Sequence, residues 1–165
     1  MLIFSDVHRN KKVLVNVIEN NDQVDYMVSL GDTELKSAFL EKHDIIAIRG
    51  NAPFDAGFTD EHVMHIEGKR LLFTHGHRFR VQQGIERLYY RVQEVEAHLA
   101  FYGHTHVASF DKVEERYLVN PGAIHKPRGT LPPTYLILTI NKDAVIFSWH
   151  DAENQALIKE IRIDN

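Results

Sequence analysis

Five short stretches of the chain carry metal-type ligands beside a glycine or beside each other. They are Asp6-Val7-His8, Gly31-Asp32, Gly50-Asn51, His75-Gly76-His77 and Gly103-His104-Thr105-His106. Carboxylates, imidazoles and an amide are the mixed oxygen and nitrogen donors that suit divalent Mn, Fe, Ni or Zn. The chain has no cysteine, which removes thiolate ligands, disulfides and a cysteine nucleophile. No Ser-centred motif supplies another side-chain nucleophile. Each stretch alone says little. Eleven histidines in 165 residues give about 0.7 His-x-His pairs by chance, and Gly-Asp or Gly-Asn is ordinarily a turn or a helix cap. The information lies in their order and placement.

Every stretch follows an apolar run of strand type. Residues 2–4, 26–30, 45–48, 69–74 and 99–102 read as strands, and a ligand appears one to four residues after each. Residues 12–19 and 34–43 place apolar side chains at helical spacing between the first three strands. That β-α-β-α-β order predicts parallel strands covered by helices. Residues 62–67 and 69–74 flank Gly68 as a hairpin. Residues 81–97 read as the longest helix. Strands are expected at 108–113, 116–119, 134–140, 145–149 and 156–163, with a turn at Asn141-Lys142-Asp143. The whole is a mixed α/β domain, residues 1–165, with a largely parallel first sheet and a largely antiparallel second one. Residues 120–133, rich in Pro and Gly, form a long loop of the kind that often carries function. Ligands bind beyond the carboxyl ends of parallel strands, so the five stretches converge on one pocket.

The formal charge is -4 and there is no long basic run, which argues against strong non-specific nucleic-acid binding. No apolar run reaches the ~18 residues of a membrane span, and Met1 leads straight into Leu2-Ile3-Phe4 without a charged signal region. The expected location is the cytoplasm. The oligomeric state is open, a homo-oligomer included.

In their order, the five motifs resemble those of the calcineurin-like metallophosphoesterase superfamily, and within it the small prokaryotic phosphodiesterase group. The resemblance runs from Asp6 to at least Arg128 and includes Asn120-Pro121-Gly122 and Pro127-Arg128. It implies a two-sheet β-sandwich flanked by helices, a four-layer αββα fold. It implies two divalent metal ions, with Mn preferred and Ni, Fe or Zn as alternatives. Asp6, His8, Asp32 and His106 would hold the first ion; Asp32, Asn51, His75 and His104 would hold the second. A carboxylate can bridge because it has two oxygens to share, and a hydroxide held between two such ions attacks a phosphodiester in line. The implied substrate is a small phosphoester or a nucleotide-like molecule. A non-catalytic alternative exists, because the same fold serves as a scaffold subunit of the eukaryotic retromer complex.

The sequence departs from the family pattern after Gly50-Asn51. Branches with a general acid carry His there, whereas this chain has Ala52-Pro53. Relatives in the small group often have Cys-Asp, and Asp55 stands near that Asp at a different offset. A missing acid favours good leaving groups, since such an acid typically contributes 10²–10⁴-fold. Asn51 and His77 are the candidate catalytic side chains. His77 lies outside the ligand set and is read as a contact to substrate or to a ligand. Arg49 and Arg128 are candidate phosphate-binding side chains. His43, His62, His65, His98, His125 and His150 are read as ordinary.

Overall fold

The computed structural model describes residues 1–164, apart from the side chain of Phe54. Two sheets pack face to face. The first contains β1 (Leu2–Phe4), β2 (Met27–Ser29), β3 (Ile45–Ala47), β9 (Thr134–Ile140), β10 (Ala144–Asp151) and β11 (Leu157–Asp164), in the order β11-β10-β9-β1-β2-β3. The second contains β4 (Glu61–Ile66), β5 (Lys69–Thr74), β6 (Leu99–Phe101), β7 (Ser109–Val113) and β8 (Arg116–Asn120), in the order β4-β5-β6-β8-β7. Helices α1 (Lys11–Glu19) and α2 (Ser37–Lys42) pack on the outside of the first sheet, and α3 (Glu86–Glu94) on the outside of the second.

Strand alternation builds the four layers. In β1, Ile3 points between the sheets, while Leu2 and Phe4 point to the helices and meet Leu14, Val17 and Leu40. In β5, Leu71 and Phe73 face inward, while Leu72 turns outward to Leu88 and Val92 of α3. Between the sheets Phe73, Phe101, Phe147 and Trp149 are buried together. These short strands are apolar on both faces because both faces are covered.

The sheets and two helices differ from expectation, and the helix expected over 34–43 spans only Ser37–Lys42. Both sheets are mixed: β1-β2-β3 are parallel, but β9, β10 and β11 join the first sheet antiparallel, and β5-β6-β8 of the second sheet are parallel. The expected helix over 81–97 is shorter, Glu86–Glu94. Gly84 adopts φ +145, which no right-handed helix contains. At the other end Glu96 is left-handed and Ala97 N–H returns to the Val92 carbonyl at 2.9 Å, a Schellman closure. The apolar spacing beyond these points is real, but Val81 and Ala97 are buried from irregular backbone.

A candidate binuclear metal centre

The parallel strands β1, β2, β3, β5 and β6 all end on one edge of the sandwich, and the loops leaving them carry the seven expected ligands. The backbone turns sharply there. Asp6, His8, Asp32, His104 and His106 have φ of +54, +43, +52, +67 and +61. Non-glycine residues rarely adopt this region, and each such residue costs of order 1 kcal/mol or more, so a cluster of them marks a site that the rest of the fold holds under strain. Asp and His tolerate the conformation better than most types. The packing is tight as well. A side chain at Gly31 would put its Cβ 2.8 Å from Gly50 Cα and 2.9 Å from His75 Nδ1.

Two overlapping groups of donors result. Asp6, His8 and His106 form one, and Asp6, Asp32 and His75 the other, with the donor atoms of each group within 4.8 Å of one another. His106 Nε2 lies 3.2 Å from Asp6 Oδ1, His8 Nε2 lies 3.8 Å from the same oxygen, and the two Nε2 atoms are 3.3 Å apart. In the second group His75 Nε2 lies 3.5 Å from Asp32 Oδ2 and 3.1 Å from Asn51 Oδ1. The His104 ring centroid is 5.1 Å from that of His75. All seven expected ligands therefore surround one small volume. Asp6 belongs to both groups; Asp32, to which the resemblance gives the bridging place, belongs to the second.

The donor set fits divalent cations on its own chemistry. Asp6 Oδ1 is buried and has no hydrogen-bond partner among the described residues, while Oδ2 accepts the His104 backbone N–H at 3.0 Å. An orphaned carboxylate oxygen facing imidazole nitrogens is costly unless something positive meets it. The imidazoles are also held from behind. His75 Nδ1 donates to the Leu30 carbonyl at 2.8 Å and His106 Nδ1 to the Lys126 carbonyl at 2.8 Å. His8 Nδ1 lies 2.8 Å from Glu34 Oε1, and Glu34 is itself anchored by Arg9 Nε at 2.9 Å. Each contact leaves Nε2 as the atom presented to the cluster, the arrangement that orients histidine ligands.

Charge follows the same geometry. Burial pushes the Asp32 carboxyl upward, but the His75 imidazole beside it and the Ala52 N–H at 2.8 Å outweigh burial and hold it at about 2. Burial also opposes ionisation of Asp6, and the neighbouring His106 and His75 again win and lower it. The Asp6 carboxylate raises His106. Burial, with the nearby His75 charge, lowers His104 to about 4. Both carboxylates are thus anionic at neutral pH, as metal ligation requires.

Asp55 proves to be structural support. It is fully buried, accepts the Asp32 backbone N–H at 2.6 Å and the Gly50 N–H at 3.3 Å, and so ties the loop of Asp32 to the loop of Asn51. Burial raises its carboxyl.

A cleft of about 530 Å³ opens above the donors, and every side chain lining it is polar or charged. Arg128 lines it. Arg49 is not among its lining residues and reaches Asp60 at 3.8 Å instead. His77 stands behind the cleft, its ring 5.4 Å from His75 and 6.1 Å from His104, with Nδ1 buried and unpartnered among the described residues. Sequence reasoning missed Glu34, Arg9, Lys126 and Gln82, which also line the cleft. Glu34 was hidden inside an expected helix. Its one signal was its place two residues after Asp32.

The comparisons with known proteins agree with this geometry. A Bacillus subtilis protein named probable metallophosphoesterase YsnB is 31% identical over 152 residues, 92% of this chain and 90% of that protein. Phosphodiesterase YfcE of Escherichia coli is 29% identical over 133 residues, 74% of this chain and 65% of its own length. A conserved Streptococcus pneumoniae protein, named as a predicted phosphoesterase, has the same fold, with a TM-score of 0.89, 27% identity, and coverage of 99% of this chain and 96% of that one. Vps29 of Entamoeba histolytica shares the fold at 18% identity, with a TM-score of 0.76 and coverage of 99% and 98%. The family model of the calcineurin-like phosphoesterase superfamily domain matches residues 1–143. No described helix is long and apolar enough to cross a membrane. With its fold, its strand-end donors and this match in accord, the chain belongs to the calcineurin-like phosphoesterase superfamily.

Proposed function

We propose that this phosphoesterase is a phosphodiesterase that works with two divalent ions held by the seven strand-end ligands. The observation that carries the reading is the pair of overlapping donor groups around Asp6, one buried oxygen of which faces imidazole nitrogens and has no hydrogen-bond partner among the described residues. Two ions held there would polarise a phosphate and make a shared water acidic enough to attack at neutral pH. The chain's own residues supply the rest. Leu30, Glu34 and Lys126 fix the orientation of His75, His8 and His106. Arg128 and Lys126 stand on the cleft wall, where cations meet the non-bridging oxygens of a phosphate. The name of the YfcE relative supports a diester substrate.

The His that other branches carry after Gly-Asn is replaced here by Ala52, which cannot donate a proton to the leaving group. The rate on aryl diesters should therefore depend steeply on leaving-group acidity. Reconstitution with Mn, Ni, Fe or Zn, followed by metal analysis and assay on paired diesters and monoesters, tests the reading. Two ions per chain and preferred diester cleavage are expected. Well-folded protein that never binds more than one ion overturns the binuclear centre. A flat leaving-group dependence with chemistry rate-limiting reveals an acid, with His77 first to be tested. All seven positions here hold competent donors, as a metal-dependent hydrolase needs, and this favours the enzyme over the scaffold alternative.

A further inference from the structure

The metal cleft has no apolar wall, yet a phosphodiester carries organic groups on both sides of its phosphorus. A second groove, of about 880 Å³, adjoins the cleft and shares Arg9 and Glu34 with it as a common wall. Beyond that wall the lining changes character. Leu35 and Phe58, both half-buried, form its apolar surface, and Lys36 and Glu41 its rim. Leu35 follows Glu34 directly in the chain. Phe58 is held by its N–H to the Asp55 carbonyl at 3.1 Å, and Asp55 in turn holds Asp32. Short connections therefore tie the backbone of both residues to the donor cluster.

We infer that this groove is the subsite for the ester group that stays on the phosphate, and that it selects a ring-bearing group, aryl or nucleoside, over a small alkyl one. The inference rests on the phosphodiesterase reading and assigns the half of the substrate that the metal cleft cannot contact. The phosphate sits among cations and donors, and the ring lies past Arg9 and Glu34 against Phe58 and Leu35. The size suits it, since small-molecule sites are typically about 300–1,000 Å³. Burying one face of a ring, roughly 60 Å² of apolar surface, is worth on the order of tenfold in kcat/KM.

Three substrates with the same leaving group isolate the effect: the p-nitrophenyl diesters of methyl phosphate, naphthyl phosphate and thymidine monophosphate. In metal-loaded protein both ring-bearing esters should exceed the methyl ester in kcat/KM by about tenfold. If only one of the two does, the subsite is assigned to aryl or to nucleoside groups. Phe58→Ala should bring the ratio near one while the methyl ester and metal content stay unchanged. Phe58 also packs against the core, so a second variant fills the groove from outside. Gly57 lines the groove and a Cβ built there meets nothing within 4 Å, so Gly57→Trp adds bulk at the groove without a clash at the backbone. It should depress the ring-bearing esters alone. Equal kcat/KM for all three esters in wild type, or ratios unmoved in both variants, overturns the subsite and leaves the phosphodiesterase reading standing. No hydrolysis of any ester overturns both.

Discussion

The two ends of the sandwich make an instructive pair. At the amino-terminal ends of β5, β6 and β8 lies a cleft of about 550 Å³ lined by His65, His98, Arg70, Arg116 and several glutamates. It matches the metal cleft in volume and in residue types. The difference is how the donor atoms are committed. His65 Nε2 accepts from Arg70 Nε at 2.8 Å and His98 Nδ1 accepts the Arg70 backbone N–H at 2.9 Å. Arg70 continues to Glu96 and the Val95 carbonyl. There the lone pairs are spent within the protein. At the carboxyl-terminal end His75 and His106 give their Nδ1 to backbone carbonyls, His8 gives its Nδ1 to Glu34, all three aim Nε2 inward, and Asp6 keeps an unpartnered oxygen. A cation site is recognised by uncommitted donors, and histidine number alone does not separate the two ends.

Removing a carboxylate at the site end should have the largest effect. Asp32→Ala and Asp6→Ala are each expected to leave less than one equivalent of metal and to lower turnover on the order of 10³-fold or more, because a metal contributes several kcal/mol of charge stabilisation. Metal analysis beside kcat measurement checks this. Near-normal turnover in Asp32→Ala would remove it from both ions and leave Asp6 as the sole shared carboxylate.

Glu34→Ala comes next. It frees the His8 ring from its orienting carboxylate, which should weaken the first ion's binding by 10–100-fold and spare the second. Nitrogen NMR of His8 gives an independent readout, since the Nδ1–H tautomer should lose its dominance. Glu34→Gln, which keeps an acceptor oxygen, should restore much of it. Unchanged affinity for both ions would reduce Glu34 to a partner of Arg9.

His77→Ala should keep two ions per chain and lower kcat/KM by about tenfold, the worth of one hydrogen bond to a charged group. A fall confined to KM signals uniform binding of substrate, and a fall in kcat a contact made in the transition state. Loss of metal would move His77 into the ligand set.

The smallest effects belong to the opposite end. His65→Ala and His98→Ala should leave metal content and kcat/KM within about twofold and cost about 1 kcal/mol or less of stability, read by denaturant unfolding. An effect on metal content as large as that of Glu34→Ala would erase the contrast between the two ends.

The sequence exposes this candidate site because its expected ligands are local words: each donor lies within four residues of an apolar run whose type is set by short-range pattern. The strands β1, β5 and β9 are legible for the same reason. Sheet membership is not, because nothing near Thr134–Ile140 records that Leu136 will pair with Ile3, more than 130 residues away. The long helix was over-read because Val81 and Ala97 carry the right spacing on the wrong backbone. Glu34 escaped because its partner His8 is 26 residues distant and its own neighbourhood reads as helix.

Asp6, His8, Asp32 and Asn51 leave the first sheet, while His75, His104 and His106 leave the second. An ion in either donor group would be bonded to both sheets at once, across a chain separation of 98 residues between His8 and His106. Such an ion is a removable cross-link that closes a long loop, and loop closure is most costly in the unfolded chain. Loading then adds RT ln(1 + [M]/Kd) to stability, about 2.7 kcal/mol at a hundredfold excess over Kd. Chelation should therefore loosen one rim of the sandwich before the buried aromatic layer between the sheets, and amide exchange at the ends of β1, β2, β5 and β6 would register the metal even in the absence of any substrate.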